Sequence, residues 1–195
     1  MLVGFLWWAG SCAPSARLSE PRMELESPLL RGTESPAEPV PVTPPTTVSP
    51  AVNIPIAIPA QPYASEPIVE LGTIEIPAIG LVHRIYQGVT LNNIDRGPSH
   101  WTGTALPGQP GNAVFAGHRV TRSRPFRNID ALVPGNEVIF TVRGVRSIYR
   151  VTGNQVVTPK DLWIGDQTPG YHATLYACHP PGSAQYRFVV HLEMI

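Results

Sequence analysis

Three side chains that together suit acyl transfer lie at the ends of predicted β-strands. Cys178 follows the predicted strand 173–177, His118 follows 112–116, and Arg187 opens the last predicted strand. A thiolate is a nucleophile, an imidazole donates a proton to a leaving amine, and a fixed guanidinium stabilises a developing oxyanion. Because rigid scaffolds often hold reactive groups beside open loops, we interpret these residues as a candidate catalytic site.

Each of these residues also has a structural interpretation. A lone cysteine in a strand is more often a small buried hydrophobic residue than a nucleophile. His179 adjoins Cys178, but successive residues of an extended strand face opposite sides, which argues against His179 as the base. We interpret the other histidines as structural; they are His83, His100, His172 and His191.

Short strand patterns separated by Gly and Pro dominate the second part of the sequence. They cover residues 72–77, 81–88, 112–116, 137–142, 147–151, 173–177 and 187–193. One or two short helices are predicted, the clearer one at 125–132, and no long amphipathic helix is present. This pattern predicts an all-β fold, a small closed β-barrel.

Composition divides the chain into three parts. Of the 23 prolines, 14 lie at or before Pro77, and apolar residues that build a core become frequent only later. We predict a disordered Pro/Glu-rich linker at 13–68 and a folded domain at 69–195. The apolar segment 1–12 is too short to span a bilayer, and we interpret it as a truncated or short membrane anchor.

Charge and cysteine content exclude some functions. Up to residue 70 there are three arginines against seven glutamates, and beyond it 11 basic residues face seven acidic ones. The small excess, with no recognition motif, predicts no nucleic-acid binding. Arg119, Arg122, Arg124 and Arg127 are interpreted either as a basic rim for an acidic partner or as a solvated loop.

Cys12 and Cys178 lie in different parts of the chain, and a disulfide between them is not expected. No cysteine or histidine spacing suggests a metal site, and no acidic cluster suggests calcium. We therefore predict no cofactor and no metal.

The sequence around these residues resembles the sortase family. The similar segments are GTALPGQPGN followed by VFAGHR at 103–119, PFRNID and Pro134-Gly135, and TLYACHP at 174–180. Arg187 follows the cysteine by nine positions and leads into FVVHL. The details are most similar to the class E sortases of high-GC Gram-positive bacteria.

The resemblance implies an eight-stranded β-barrel with Cys178 as nucleophile, His118 as general acid and base, and Arg187 as substrate or oxyanion stabiliser. It implies a transpeptidase at the outer face of the cell membrane. Its substrates would be secreted proteins with a Leu-Ala/Pro-x-Thr-Gly sorting signal, and its acceptor a peptidoglycan-precursor or pilin amine.

One position departs from the family pattern: Ala177 stands where sortases usually have threonine before the cysteine. This leaves open a catalytically impaired barrel that acts as a surface binding module. A structural module with an inert thiol is a further alternative. An L,D-transpeptidase is disfavoured, because its Ser-His-Gly-Cys signature does not match the residues before Cys178.

Overall fold

The computed structural model describes residue 55 and residues 62–195. The predicted anchor at 1–12 and most of the predicted linker lie outside these residues. The described chain forms eight strands: β1 (Glu70–Ile76), β2 (Leu81–Gln87), β3 (Ser99–His100), β4 (Gly111–Ala116), β5 (Glu137–Val142), β6 (Val145–Val157), β7 (Tyr171–His179) and β8 (Tyr186–Met194). The single α-helical turn among these residues is α1 (Leu91–Ile94), and three 3-10 turns cover Pro77–Ile79, Ile129–Ala131 and Leu162–Gly165.

The strands close into one barrel in the order β1-β2-β3-β4-β7-β8-β6-β5, which confirms the predicted fold. Most neighbours are antiparallel, but β2 with β3 and β4 with β7 are parallel. Closure leaves no strand edge open for unwanted pairing.

Alternation of side chains along the strands builds the barrel core. In β7 the alternate residues Ala173, Leu175 and Ala177 belong to the core cluster, and Phe188, Val190 and Leu192 do so in β8. Aromatic rings fill the middle, where Phe140 lies 5.0 Å from Phe115 and 5.5 Å from Tyr149 between ring centroids. Burial of each phenylalanine side chain contributes about 1.5–3 kcal/mol.

Two predicted elements differ from the structure. The helix predicted at 125–132 is only the 3-10 turn Ile129–Ala131, since the backbone N–H of Phe126 donates to the carbonyl of His118 rather than starting a helix. Strand β6 is much longer than the predicted strand 147–151. A bulge between Val151 and Gly153 interrupts the alternation that sequence patterns detect, while the strand continues along β8.

Residues 62–66, assigned from sequence to the linker, lie against the turn at α1. The backbone N–H of Leu91 donates to the carbonyl of Pro62 at 2.7 Å. Glu66 Oε2 accepts from Thr90 Oγ1 at 2.9 Å and from Asn93 Nδ2 at 3.0 Å. The ordered contacts of the barrel therefore begin before residue 69.

Candidate active site

The sheet topology brings three strand ends to one rim of the barrel. Strands β4 and β7 are parallel and in register through Ala116 opposite Tyr176, so both chains leave the sheet at the same rim. The backbone N–H of Gly117 continues this contact by donating to the carbonyl of Tyr176 at 3.1 Å. Strand β8 is antiparallel to β7 and begins at that rim.

Cys178 and Arg187 are directly opposed across β7 and β8. Directly opposed residues of an antiparallel pair place their side chains on the same face with Cβ atoms about 4.5–5.5 Å apart. The thiol is free and partly buried. Arg187 Nη1 donates to the carbonyls of Ala184 and Tyr186, each at 2.9 Å, which holds the guanidinium at the turn between the two strands.

His118 lies in the loop after β4, where the preceding residue, Gly117, packs closely against the ring of Phe126. A Cβ atom at Gly117 would come within 2.4 Å of the Phe126 ring, so only glycine permits this approach. Within this packing the loop presents His118 towards the rim. The imidazole Nε2 lies 2.8 Å from Asp95 Oδ1, with 16% of the His118 side chain exposed.

Asp95 joins His118 to the basic loop that follows it. Its second carboxylate oxygen, Oδ2, accepts from Arg122 Nε at 3.0 Å. A carboxylate can only accept, so the hydrogen bond to His118 requires a proton on Nε2. The Nδ1 atom of His118 makes no hydrogen bond with the described residues and remains available to a bound molecule.

His118, Cys178 and Arg187 line one groove of about 290 Å³. Trp101, Ile164, Val89 and Tyr176 of its lining belong to a second apolar cluster on the outer side of the strands, which Val114, Val157 and Val189 complete beneath the groove. Leu91, Ile94 and Pro62 complete the walls. The groove is thus apolar along its length and polar where the three candidate residues meet.

Among the described residues, Tyr176 contributes the only phenol to the lining of this groove. Burial raises the pKa of Tyr176 to about 12. The charge of Arg187 lowers this pKa in part, and Cys178 raises it further. The phenol therefore keeps its proton at neutral pH and adds a hydrogen-bond donor without charge.

The prediction that Arg119 belongs to an exposed rim or solvated loop is wrong. Only 2% of its side chain is exposed, whereas Arg122, Arg124 and Arg127 are exposed. Arg122 and Arg124 have positive φ values of 54° and 50°, a backbone conformation that is unfavourable for arginine.

The other histidines lie outside the lining of the groove. His179 Nδ1 accepts a hydrogen bond from Arg119. His100 is buried, and its Nε2 lies 2.8 Å from the carbonyl of Ala105. Burial lowers the pKa of His100 to about 4, opposed by that backbone contact.

Sequence patterns did not single out Asp95 and Tyr176. Asp95 lies 23 positions before His118, and nothing in its neighbourhood marks it as a partner of the histidine. Tyr176 was detectable in principle, since it stands two residues before Cys178 in the same strand and so shares its face.

The described part of the chain has neither a metal-binding cluster nor a helix that could span a membrane. Residue 55 and residues 62–195 contain no group of three or more His, Cys, Asp or Glu side chains arranged to hold a metal ion. In the same residues no helix has the length and apolar character needed to cross a membrane.

Comparison with known proteins gives consistent matches over the barrel. A family model described as the sortase domain matches residues 74–195. Sortase SrtE1 of Streptomyces coelicolor is 29% identical over 151 residues, which are 69% of this chain and 43% of that protein. The chain therefore spans less than half the length of that relative.

Solved structures extend the match to the fold. A Clostridium perfringens sortase D5 transpeptidase is 31% identical with a TM-score of 0.60, covering 65% of this chain and 79% of its own. Streptococcus pneumoniae sortase C, whose description concerns catalysis and pilin substrate specificity, is 25% identical with a TM-score of 0.65. It covers 75% of this chain and 82% of its own.

Proposed function

Since the chain belongs to the sortase family, we propose that it is a cysteine transpeptidase with Cys178 as nucleophile. It cleaves a Leu-Ala/Pro-x-Thr-Gly sorting signal of secreted proteins between threonine and glycine. It then transfers the acyl group to a peptidoglycan-precursor or pilin amine. The proposed location is the outer face of the cell membrane.

The observation that carries this proposal is the opposition of Cys178 and Arg187 in one groove that His118 also lines. A nucleophile, a fixed cation and a proton donor are the groups that acyl transfer requires. The rigid β7–β8 ladder supports the first two, and the contact with Asp95 supports the third.

In the first half-reaction the Cys178 thiolate attacks the threonine carbonyl carbon, and the carbonyl electrons move to its oxygen. Arg187 stabilises the resulting oxyanion. As the carbonyl reforms, the carbon–nitrogen bond to glycine breaks. The His118 imidazolium gives a proton to the departing amine, which leaves a thioester on Cys178.

In the second half-reaction an acceptor amine attacks the thioester carbonyl. His118, now neutral, takes a proton from the attacking nitrogen, and the Cys178 thiolate leaves as the amide forms. Asp95 accepts a hydrogen bond from Nε2 in both half-reactions, so Nδ1 is the atom that exchanges the proton. Each turn of the cycle returns the thiolate and imidazolium with which it began.

The walls of the groove suit the apolar start of the proposed signal. Leu91 and Ile94 of the walls, with Trp101 below them, offer apolar surface to leucine and to the small alanine or proline that follows it. Burial of a leucine side chain is favourable by about 1.5–3 kcal/mol, which is enough to select it over polar residues. The class E resemblance favours alanine at the second position.

The test is a mass-spectrometric transpeptidation assay of the full chain. It is incubated with Leu-Ala-x-Thr-Gly and Leu-Pro-x-Thr-Gly peptides and a diaminopimelate-type amine, with Cys178→Ala as control. We expect cleavage between threonine and glycine and a thioacyl adduct on Cys178 that the control lacks. A folded protein whose thiol reacts with iodoacetamide, but which forms no adduct with either peptide, would favour the binding module.

A further inference from the structure

Arg119 is a buried cation with partners near the ends of two strands, on the 3-10 turn Ile129–Ala131 and on the loop before that turn. Its Nη2 lies 2.5 Å from Asp130 Oδ2, its Nη1 donates to His179 Nδ1 at 2.9 Å, and its Nε donates to the carbonyl of Arg127 at 3.4 Å. Its guanidinium carbon lies 5.9 Å from the centroid of the Phe188 ring. A charge this deeply buried is stable only because these contacts replace water.

Two partners of Arg119, His179 and Phe188, directly follow candidate catalytic residues in the chain. We call two groups of residues the outer set and the inner set. The outer set is His118, Cys178 and Arg187, and the inner set is Arg119, His179 and Phe188. Each inner residue directly follows one outer residue, and the inner residues contact one another, with His179 and Phe188 ring centroids 5.8 Å apart.

We propose that Arg119 is a positioning residue that fixes the outer set through the inner set. This inference rests on the proposed function, because the outer set is defined by its catalytic roles. Arg119 touches none of the groove and acts through the backbone that it shares with His118.

The loop after β4 needs such a tie. Strand β4 ends at Ala116, and beyond it Gly117 bonds to Tyr176 and His118 bonds to Phe126 through the backbone. The link from Arg119 to His179 joins this loop to the end of β7, one residue after Cys178. It therefore sets where His118 stands relative to the thiol.

Arginine is suited to this role, and lysine is not equivalent. The planar guanidinium donates in several fixed directions at once, here to a carboxylate, an imidazole and a carbonyl, and also stacks over a ring. A lysine ammonium keeps the charge but loses the fork geometry. His179 completes the match because its Nδ1 must be unprotonated to accept from an arginine, which can only donate.

The experiment compares Arg119→Lys and Arg119→Met with Arg127→Lys and Arg127→Met in the full chain. Arg127 is exposed in the same loop, and only its backbone carbonyl contacts Arg119. For each variant we would measure the melting temperature, kcat and KM for the peptide that wild type cleaves, and backbone hydrogen exchange across 117–127 by mass spectrometry.

For both Arg119 variants we expect kcat to fall about 10–100-fold with KM within about twofold, because a misplacement of roughly 1 Å costs about 100-fold in rate. Hydrogen exchange across 117–127 rises while the rest of the barrel keeps its protection. The Arg127 variants match wild type. Should Arg119→Met fail to fold, Asp130→Asn and His179→Phe each remove one contact and are expected to lower kcat in the same way.

Folded Arg119 variants with wild-type kcat and wild-type exchange across 117–127 overturn the proposal. A lower melting temperature with unchanged kcat, measured well below melting, also overturns it by reducing Arg119 to a stabilising residue. If wild type itself forms no thioacyl adduct, the proposed function fails. The exchange measurement then still decides whether Arg119 orders the loop that carries His118.

Discussion

The outer and inner sets are successive residues of the same strand ends, yet they have opposite surroundings. The outer set lines a groove, and its members are partly exposed. Arg119 and Phe188 of the inner set are buried, and the set is closed by ring and guanidinium contacts. Because side chains alternate along β7 and β8, each of these strands supplies both a candidate catalytic group and the residue packed behind it.

This difference predicts that substitutions in the outer set change the rate directly, that Arg119 of the inner set changes it through the position of His118, and that core substitutions such as those at Ala177 change the stability. The largest effect is expected at His118. His118→Gln removes the proposed proton donor, and general acid–base catalysis contributes about 10²–10⁴-fold, so kcat should fall by that factor. Thermal melting should match wild type, since the side chain is partly exposed.

The control for this variant is His83→Gln, which changes a histidine outside the groove lining and should leave kcat unchanged. A His118→Gln protein that keeps more than a tenth of wild-type kcat would contradict the role of His118. A His118→Gln protein with a much lower melting temperature would show that this outer residue also stabilises the fold, which contradicts the expected difference between the two sets.

A second test uses a histidine inside the fold. Burial lowers the pKa of His100 to about 4 from 6.5. Between pH 6.5 and 4 the His100 side chain binds a proton in the unfolded chain but not in the folded chain. The free energy of unfolding is therefore highest above pH 6.5 and declines as the pH falls towards 4. The expected loss in free energy of unfolding is about 3 kcal/mol, measured by urea unfolding at several pH values.

His100→Gln should remove this part of the pH dependence, because a neutral amide binds no proton in either state. The contacts of His100 are the hydroxyl of Thr104, the carbonyl of Ala105 and the amide of Gln87, all uncharged. If wild type and variant lose stability equally between pH 6.5 and 4, His100 is not the residue responsible.

A smaller effect, on stability, is expected at Ala177, whose side chain faces the barrel core. It is 2% exposed and belongs to the barrel core, although it directly precedes Cys178. Ala177→Thr inserts a hydroxyl and a methyl group into this packing and should cost about 1–3 kcal/mol of stability. Thermal or urea unfolding measures the cost, with Ala131→Thr at an exposed position as control.

If Ala177→Thr has a higher kcat than wild type, the threonine that sortases usually have at this position contributes to catalysis. That result would contradict the assignment of the side chain at position 177 to the core alone. A variant as stable as wild type would show that the core has room there.

The smallest expected effect concerns Asp95, which contacts His118 of the outer set. Asp95→Asn keeps the shape but removes the charge beside Nε2 of His118, and kcat should fall about tenfold, equivalent to about 1.4 kcal/mol. Steady-state kinetics with Glu193→Gln as a matched loss of one exposed charge checks this. Asp95→Glu should recover part of the rate, whereas unchanged kinetics in Asp95→Asn would assign Asp95 to loop structure alone.

The barrel was predictable because its strands alternate clearly and Gly and Pro separate them. Strand β3 was missed since a strand of two residues shows no period. Cys178, His118 and Arg187 were selected from their places at strand ends and from family resemblance, and their catalytic roles stay predictions. The burial of Arg119 was hidden, because an arginine among three others in a loop has the local pattern of a solvated residue.

The contacts of residues 62–66 have a mechanical consequence. Pro62, where the continuous described chain begins, lines the groove. A pull on Pro62 would load the hydrogen bond that Leu91 donates to its carbonyl and the two hydrogen bonds to Glu66. Leu91 is itself a wall of the groove, so tension at residue 62 would reach the place where the sorting signal is proposed to bind.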